Sequence, residues 1–77
     1  MERIIIDTNK EELSIIQSQF VSQAIKGCKS FDNNRCKYRN PDGLHIMHCW
    51  LDGNTLRTYE ENHITKEITA KVTYILK

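Results

Sequence analysis

From Glu67 to Leu76 the chain alternates without a break: Ile68, Ala70, Val72, Tyr74 and Leu76 fall on one side and Glu67, Thr69, Lys71, Thr73 and Ile75 on the other. A period of two is the signature of a strand with one buried face. Such a strand cannot stand alone, since its backbone groups need a neighbour and its apolar side needs a cover. The cover is written upstream, where Leu13, Ile16, Phe20 and Ala24, joined by Val21 and Ile25, recur at helical spacing and predict a helix over Thr8–Ile25. Thr8 with Glu11 has the form of a capping box, and Gly27 suits the left-handed position that ends many helices. Ser14, Ser18 and Ser22 recur on the opposite, solvent-facing side. Before the helix, the β-branched run in Arg3–Ile6 predicts a short strand.

Between the helix and the last strand the chain writes a hairpin. Arg35-Cys36-Lys37-Tyr38-Arg39 alternates, Asn40-Pro41-Asp42-Gly43 follows, and Leu44 to Leu51 returns. Proline at the second turn position and glycine at the fourth fit a type I turn closed by a bulge residue. Pairing Asn40 with Leu44 then sets Tyr38 against Ile46 and Cys36 against His48, and joins these to Leu44 and Trp50 on a buried side. Arg35, Lys37, Arg39 and His45 are left on the other side, with Met47 and Cys49 farther along. Asp52-Gly53-Asn54 predicts a second tight turn with Thr55–Glu60 as a further strand, and a helix over Arg57–Glu67 is the alternative there. The expected fold class is α+β: one N-terminal helix packed on an antiparallel sheet of three to five strands, in the order β-α-β-β-β-β with a meander after the helix. Residues 1–77 are expected to form one small domain.

A core of this size contributes only a few kcal/mol of net stability, which leaves association into a homo-oligomer open. Eleven Lys plus Arg against ten Asp plus Glu give a net charge of +1, so nothing attracts nucleic acid or an anionic bilayer from a distance and any anion site must be a local cluster. Hydrophobic residues at 39% and charged residues at 27% exclude a disordered polyelectrolyte on one side and a membrane span on the other. Asp7 breaks the apolar run Ile4-Ile5-Ile6 too early for a signal peptide, and a cytoplasmic location is expected. Cys28, Cys36 and Cys49 are an odd number for a disulfide framework and are expected as buried free thiols.

The candidates for catalysis are Cys28, Cys36, Cys49, His45, His48 and His63. Cys36 opposite His48 resembles a thiolate–imidazole pair, but on a buried face desolvation keeps the thiol neutral. Cys28, Cys36, His48 and either Cys49 or His63 supply four zinc-ligand types, yet C-x-x-C and H-x3-H spacings are missing, and adjacent strand residues such as His48 and Cys49 point to opposite faces. A non-enzymatic protein without metal or cofactor is the expectation.

The basic stripe carries the functional reading. Arg35, Lys37 and Arg39 project from one strand face about 7 Å apart, with His45 across from Arg39. Like charges so placed repel one another, and a strand that tolerates them can answer an anionic ligand, a nucleotide or an acidic protein surface. The competing account is a solvated strand whose charges discourage edge-to-edge aggregation. Arg35, Lys37, Arg39 and His45 are the expected ligand- or partner-binding residues.

Gly27-Cys28-Lys29-Ser30 followed by Cys36-Lys37-Tyr38-Arg39-Asn40-Pro41-Asp42-Gly43 resembles a pattern of small phage and bacterial proteins, a helix ending in Gly-x-x-Ser and then C-x-Y-R-x-x-D-G. The likeness spans about a third of the chain and departs after Leu44, where that pattern has a second cysteine and this chain reads His45-Ile46-Met47-His48. It implies a phage or mobile-element context and supplies no activity. The expected function is therefore a small binding protein, phage-encoded, that inhibits a host or defence component stoichiometrically, by docking on a protein or by sequestering an anionic small ligand such as a nucleotide. The alternative is a nucleic-acid-binding module using the basic hairpin 35–51, which is disfavoured as long as Tyr38 and Trp50 face the core.

Overall fold

A computed structural model describes residues 2–77, with elements in the order β1 (Ile4–Asp7), α1 (Ile15–Lys29), β2 (Arg35–Arg39), β3 (His45–Asp52), β4 (Thr55–Asn62) and β5 (Ile68–Ile75). The α+β class and the element order are those expected. One sheet contains all five strands in the spatial order β1-β5-β4-β3-β2. Its β2-to-β5 part is an antiparallel meander, whereas β1 lies parallel to β5 at the edge, so the sheet is mixed rather than purely antiparallel. The connectivity explains this: α1 carries the chain from the β1 edge to the β2 edge, and the meander then walks back until β5 meets β1. A 15-residue helix spans about 22 Å and five strands about 19 Å, so α1 has the length for one crossing.

The helix begins seven residues later than the apolar spacing predicts. Thr8 spends its groups elsewhere, its N–H and Oγ1 both donating to the Ile75 carbonyl at 2.9 and 2.7 Å, so it pins the chain to β5 instead of capping a helix. Asp7 takes the next residues into a turn, its carbonyl accepting from Lys10 and Glu11 and its Oδ1 from Asn9. Ser14 is the true cap, with Ser14 Oγ accepting from Gln17 N–H and Gln17 Oε1 from Ser14 N–H, a complete capping box. Ile15 and Ile16 are then exposed on the first turn, and the buried stripe is Val21, Ala24 and Cys28.

That stripe packs over β2 and β3, closing a core with Cys36, Cys49, Leu51, Leu56 and Tyr74. Phe20 is half-buried and sits between Tyr38 and Tyr74, its ring centroid 6.5 and 6.4 Å from theirs. Thr58, fully buried, satisfies its hydroxyl by donating to the Val72 carbonyl at 2.9 Å. Lys26 and Lys29 lie in the last helical turn, where a cation complements the helix dipole. Among the described residues no helix is long and apolar enough to cross a membrane.

Gly27 does not end the helix. It lies inside the last turns, and a Cβ there would overlap the Tyr38 hydroxyl, which donates to the Gln23 carbonyl at 2.6 Å. The glycine is needed for close approach of α1 to β2. Helix propensity alone has Gly27→Ala stabilise by about 1 kcal/mol. The packing reverses the sign: urea denaturation should show Gly27→Ala destabilised, and adding Tyr38→Phe should recover part of the loss. A stabilised Gly27→Ala protein would contradict this close packing.

Candidate functional site

The β2–β3 connection decides which side chains share a face. Asp42 Oδ1 accepts from the Leu44 and His45 N–H groups at 2.8 and 3.1 Å, and its Oδ2 lies 2.7 Å from His45 Nδ1. The Leu44 amide first, and then the His45 ring, hold the Asp42 carboxyl below its ordinary range. With Leu44 drawn into the turn, Asn40 N–H donates to the His45 carbonyl at 2.9 Å, so Asn40 faces His45 and not Leu44. The register is therefore one residue off the expected one: Cys36 faces Cys49, Lys37 faces His48 and Tyr38 faces Met47. A one-residue shift turns every side chain of a strand to the other face. Met47, Cys49 and Leu51 go to the helix side. Ile46, His48 and Trp50 come out beside Arg35, Lys37 and Arg39.

His45 is the expected site residue that the structure removes from the stripe. It shares the helix-side parity of Met47 and Cys49, where Asp42 holds Nδ1 and Glu60 Oε1 lies 4.0 Å from Nε2. Arg35, Lys37 and Arg39 are exposed and together on one face, as expected.

This face is left open, because α1 covers only the other. Its register gives two rows across the sheet. Arg35, Trp50, Arg57 and Thr73 oppose one another in the first, and Lys37, His48, Tyr59 and Lys71 in the second. Arg35 and Arg57 approach the Trp50 ring from the strands on either side, with guanidinium carbons 4.7 and 5.4 Å from its centroid. Tyr59 stacks on His48 with centroids 4.4 Å apart and planes 9° from parallel, and His48 Nε2 is 2.8 Å from Glu61 Oε1. Arg3 reaches in from the β1 side, donating to Thr73 Oγ1 at 2.9 Å. The outcome is an aromatic centre on β3 and β4 with cationic margins on β2 and on β5 with Arg3.

Trp50 and Tyr59 remain 40% and 38% exposed, with guanidinium groups over the first ring and the His48 imidazole stacked on the second. As diagonal neighbours on paired strands they stand about 7–8 Å apart. Two guanidinium groups held over one ring repel each other, and exposed cation–π contacts of about 0.5–1 kcal/mol offset that only in part. Asp52 is 3.8 Å from Arg57, and among the described residues no carboxylate pairs with Arg35. An anion with a flat ring would satisfy both needs.

Arg57, Tyr59, Lys71 and Arg3 are not among the site residues expected from the sequence, whereas His48 is expected there only beside the thiols and Trp50 only on the core side. A usable signal existed: Asp52-Gly53-Asn54-Thr55 is a two-residue hairpin turn with Gly53 at φ 59°, and it pairs Leu51 with Leu56. Turning that leucine pair inward sends Trp50, Arg57 and Tyr59 outward together.

Beneath this face lie the three thiols, free and buried, with Cys28 and Cys36 Sγ atoms 3.2 Å apart. Cys36 does not meet His48, which is on the opposite face. Burial, reinforced by Cys36, pushes the Cys28 thiol up from 9.0 to about 11, and burial pushes Cys49 well above the ordinary thiol range. Among the described residues no three His, Cys, Asp or Glu side chains are arranged to hold a metal ion.

Comparison of the chain with protein-family models, curated proteins and solved structures returns no match. Its chemistry is read from this geometry.

The thiols give a pH prediction. A folded-state pKa raised by burial means the fold favours the protonated thiol, so its stabilising effect is full below the unfolded value and fades as pH rises through the folded one. For Cys28 that window runs from 9.0 to about 11. Urea midpoints should fall across it more steeply for the native chain than for Cys28→Ala. In the native state at neutral pH none of the thiols should react promptly with a thiol reagent. Prompt reaction would contradict their burial.

Proposed function

We propose that the protein is a small non-enzymatic module that binds single-stranded nucleic acid on the open face of its sheet. The observation that carries this is the pairing of an exposed aromatic centre with cationic margins: Trp50 and Tyr59 offer flat surfaces to bases, while Arg35, Lys37, Arg57 and Lys71 offer charge to phosphates. Open sheet faces are common, and a solvated one is polar. Here the acidic members are few and engaged, Glu61 with His48 and Asp52 near Arg57.

Single strands suit this surface better than duplex. Stacking on an aromatic ring is worth about 1–3 kcal/mol per base and is available only where bases are unpaired. The near-neutral total charge fits a ligand held by a local cluster and not by the field of the whole molecule. The expectation of a docking inhibitor ranked first while Trp50 was assigned to the core; with Trp50 in the open face the nucleic-acid reading has the stronger physical basis.

Anisotropy of a labelled single-stranded oligonucleotide provides the test. Affinity should fall with salt at a log–log slope of about −2, corresponding to about three neutralised phosphates. Trp50→Ala should weaken binding by about 1–3 kcal/mol. Arg57→Glu should weaken it by about 2 kcal/mol or more with thermal melting preserved, because it loses a charge-assisted contact on an exposed site. Equal affinity for duplex and single strand, or for a mononucleotide and a longer strand, would contradict the reading.

A further inference from the structure

The open face does not stop at the edge of the sheet. One concavity runs from Trp50, Arg57 and Tyr59 past Arg35 and Lys37 to Phe31 and Asn33, in the connection between α1 and β2. Its volume of about 1220 Å³ exceeds the roughly 300–1,000 Å³ usual for a site that takes one small ligand. Beyond the cationic margin of β2 stands another exposed aromatic, Phe31, with 58% of its surface open.

Phe31 is presented by a fixed turn. Its N–H donates to the Cys28 carbonyl at 3.2 Å and its own carbonyl accepts from Asn34 N–H at 3.1 Å. Ser30 Oγ donates to the Lys26 carbonyl at 2.9 Å, and Asn34 at φ 56° turns the chain into β2. Asn33 Oδ1 accepts from Arg35 N–H at 3.2 Å. Between Trp50 and Phe31 lies the unpaired edge of β2. Asn34 and Asn40 bond to β3 through Leu51 N–H and the His45 carbonyl. Antiparallel ladders alternate bonding inward and outward, so the Lys37 N–H points out of the edge. The path thus reads ring, cations with an outward N–H, ring.

We propose that Phe31 forms a further base-binding subsite, so that a single strand crosses the sheet over β3 and β2 and places its next base on Phe31 past the sheet edge. This rests on the open-face reading and adds direction and length to it: the strand runs across the β-strands and not along them, and the footprint exceeds what Trp50 and Tyr59 alone provide. The alternation of rings and cations matches the alternation of bases and phosphates along a nucleic-acid strand.

The experiment compares thymidine dinucleotide and tetranucleotide as competitors of a labelled oligonucleotide, for the native chain, Phe31→Ala, Phe31→Trp and Trp50→Ala, with melting curves for each. The native chain should bind the tetranucleotide about tenfold more tightly than the dinucleotide. Phe31→Ala should lose that gain and keep the dinucleotide affinity, and Phe31→Trp should retain the gain. If Phe31→Ala matches the native chain on the tetranucleotide while Trp50→Ala weakens both ligands, the subsite is refuted and the face stands. If Trp50→Ala binds both ligands as the native chain does, the face itself is wrong and the subsite falls with it.

Discussion

The side chain of Asp42 determines which half of β3 meets the helix and which meets the surroundings. By accepting from two successive amides it takes Leu44 into the turn and starts the β2–β3 ladder at Asn40 and His45. Had the ladder closed one residue earlier, His48 and Trp50 would sit under α1, where neither the imidazole nor the indole N–H would have an evident partner. With the observed register, the groups under α1 include thiols, leucines, Thr58, whose hydroxyl donates to the Val72 carbonyl, and Tyr38, whose hydroxyl donates to the Gln23 carbonyl. A single local hydrogen-bonding choice therefore sets the composition of both faces of the sheet.

The two faces divide the labour of a small chain. One side buries Val21, Ala24 and Cys28 against the sheet and depends on Gly27 to let the Tyr38 hydroxyl pass close to the helix. The other keeps its aromatics from collapsing by loading them with charge and stacking, Arg35 and Arg57 on Trp50 and His48 on Tyr59. Charge is segregated by the same register. A net charge of +1 conceals a face on which cations dominate, because acids such as Asp42 and Glu60 are spent on holding His45 and Asn40 elsewhere.

Much of this architecture was legible in the sequence. The period-two run near the C-terminus is β5, the apolar stripe around Phe20 to Ala24 is the helix, and the proline- and glycine-bearing turns mark the hairpins. Two decisions that rest on side-chain hydrogen bonds were not legible from spacing. Thr8-x-x-Glu11 and Ser14-x-x-Gln17 have the same form, and only the pull of Thr8 toward the Ile75 carbonyl, a contact between distant parts of the chain, selects the second. Likewise Asn40-Pro41-Asp42-Gly43 names a turn without saying whether it closes on Leu44 or His45. Arg35, Lys37 and Arg39 were recognised as one stripe because strand parity within β2 is independent of that choice. The face on which Trp50 and His45 fall depends on that choice, so spacing within the hairpin could not place them.

The central claim is that Trp50 stands on the open face as a platform for a base, and this chain has one tryptophan to report on it. Intrinsic fluorescence with acrylamide quenching, before and after addition of an unlabelled single-stranded oligonucleotide, measures both parts of the claim at once. The account predicts a red-shifted, readily quenched emission in the free protein, and loss of intensity with protection from acrylamide when the strand binds. A blue-shifted emission resistant to acrylamide in the free protein would contradict the register, and an open tryptophan unaffected by the strand would contradict the binding face.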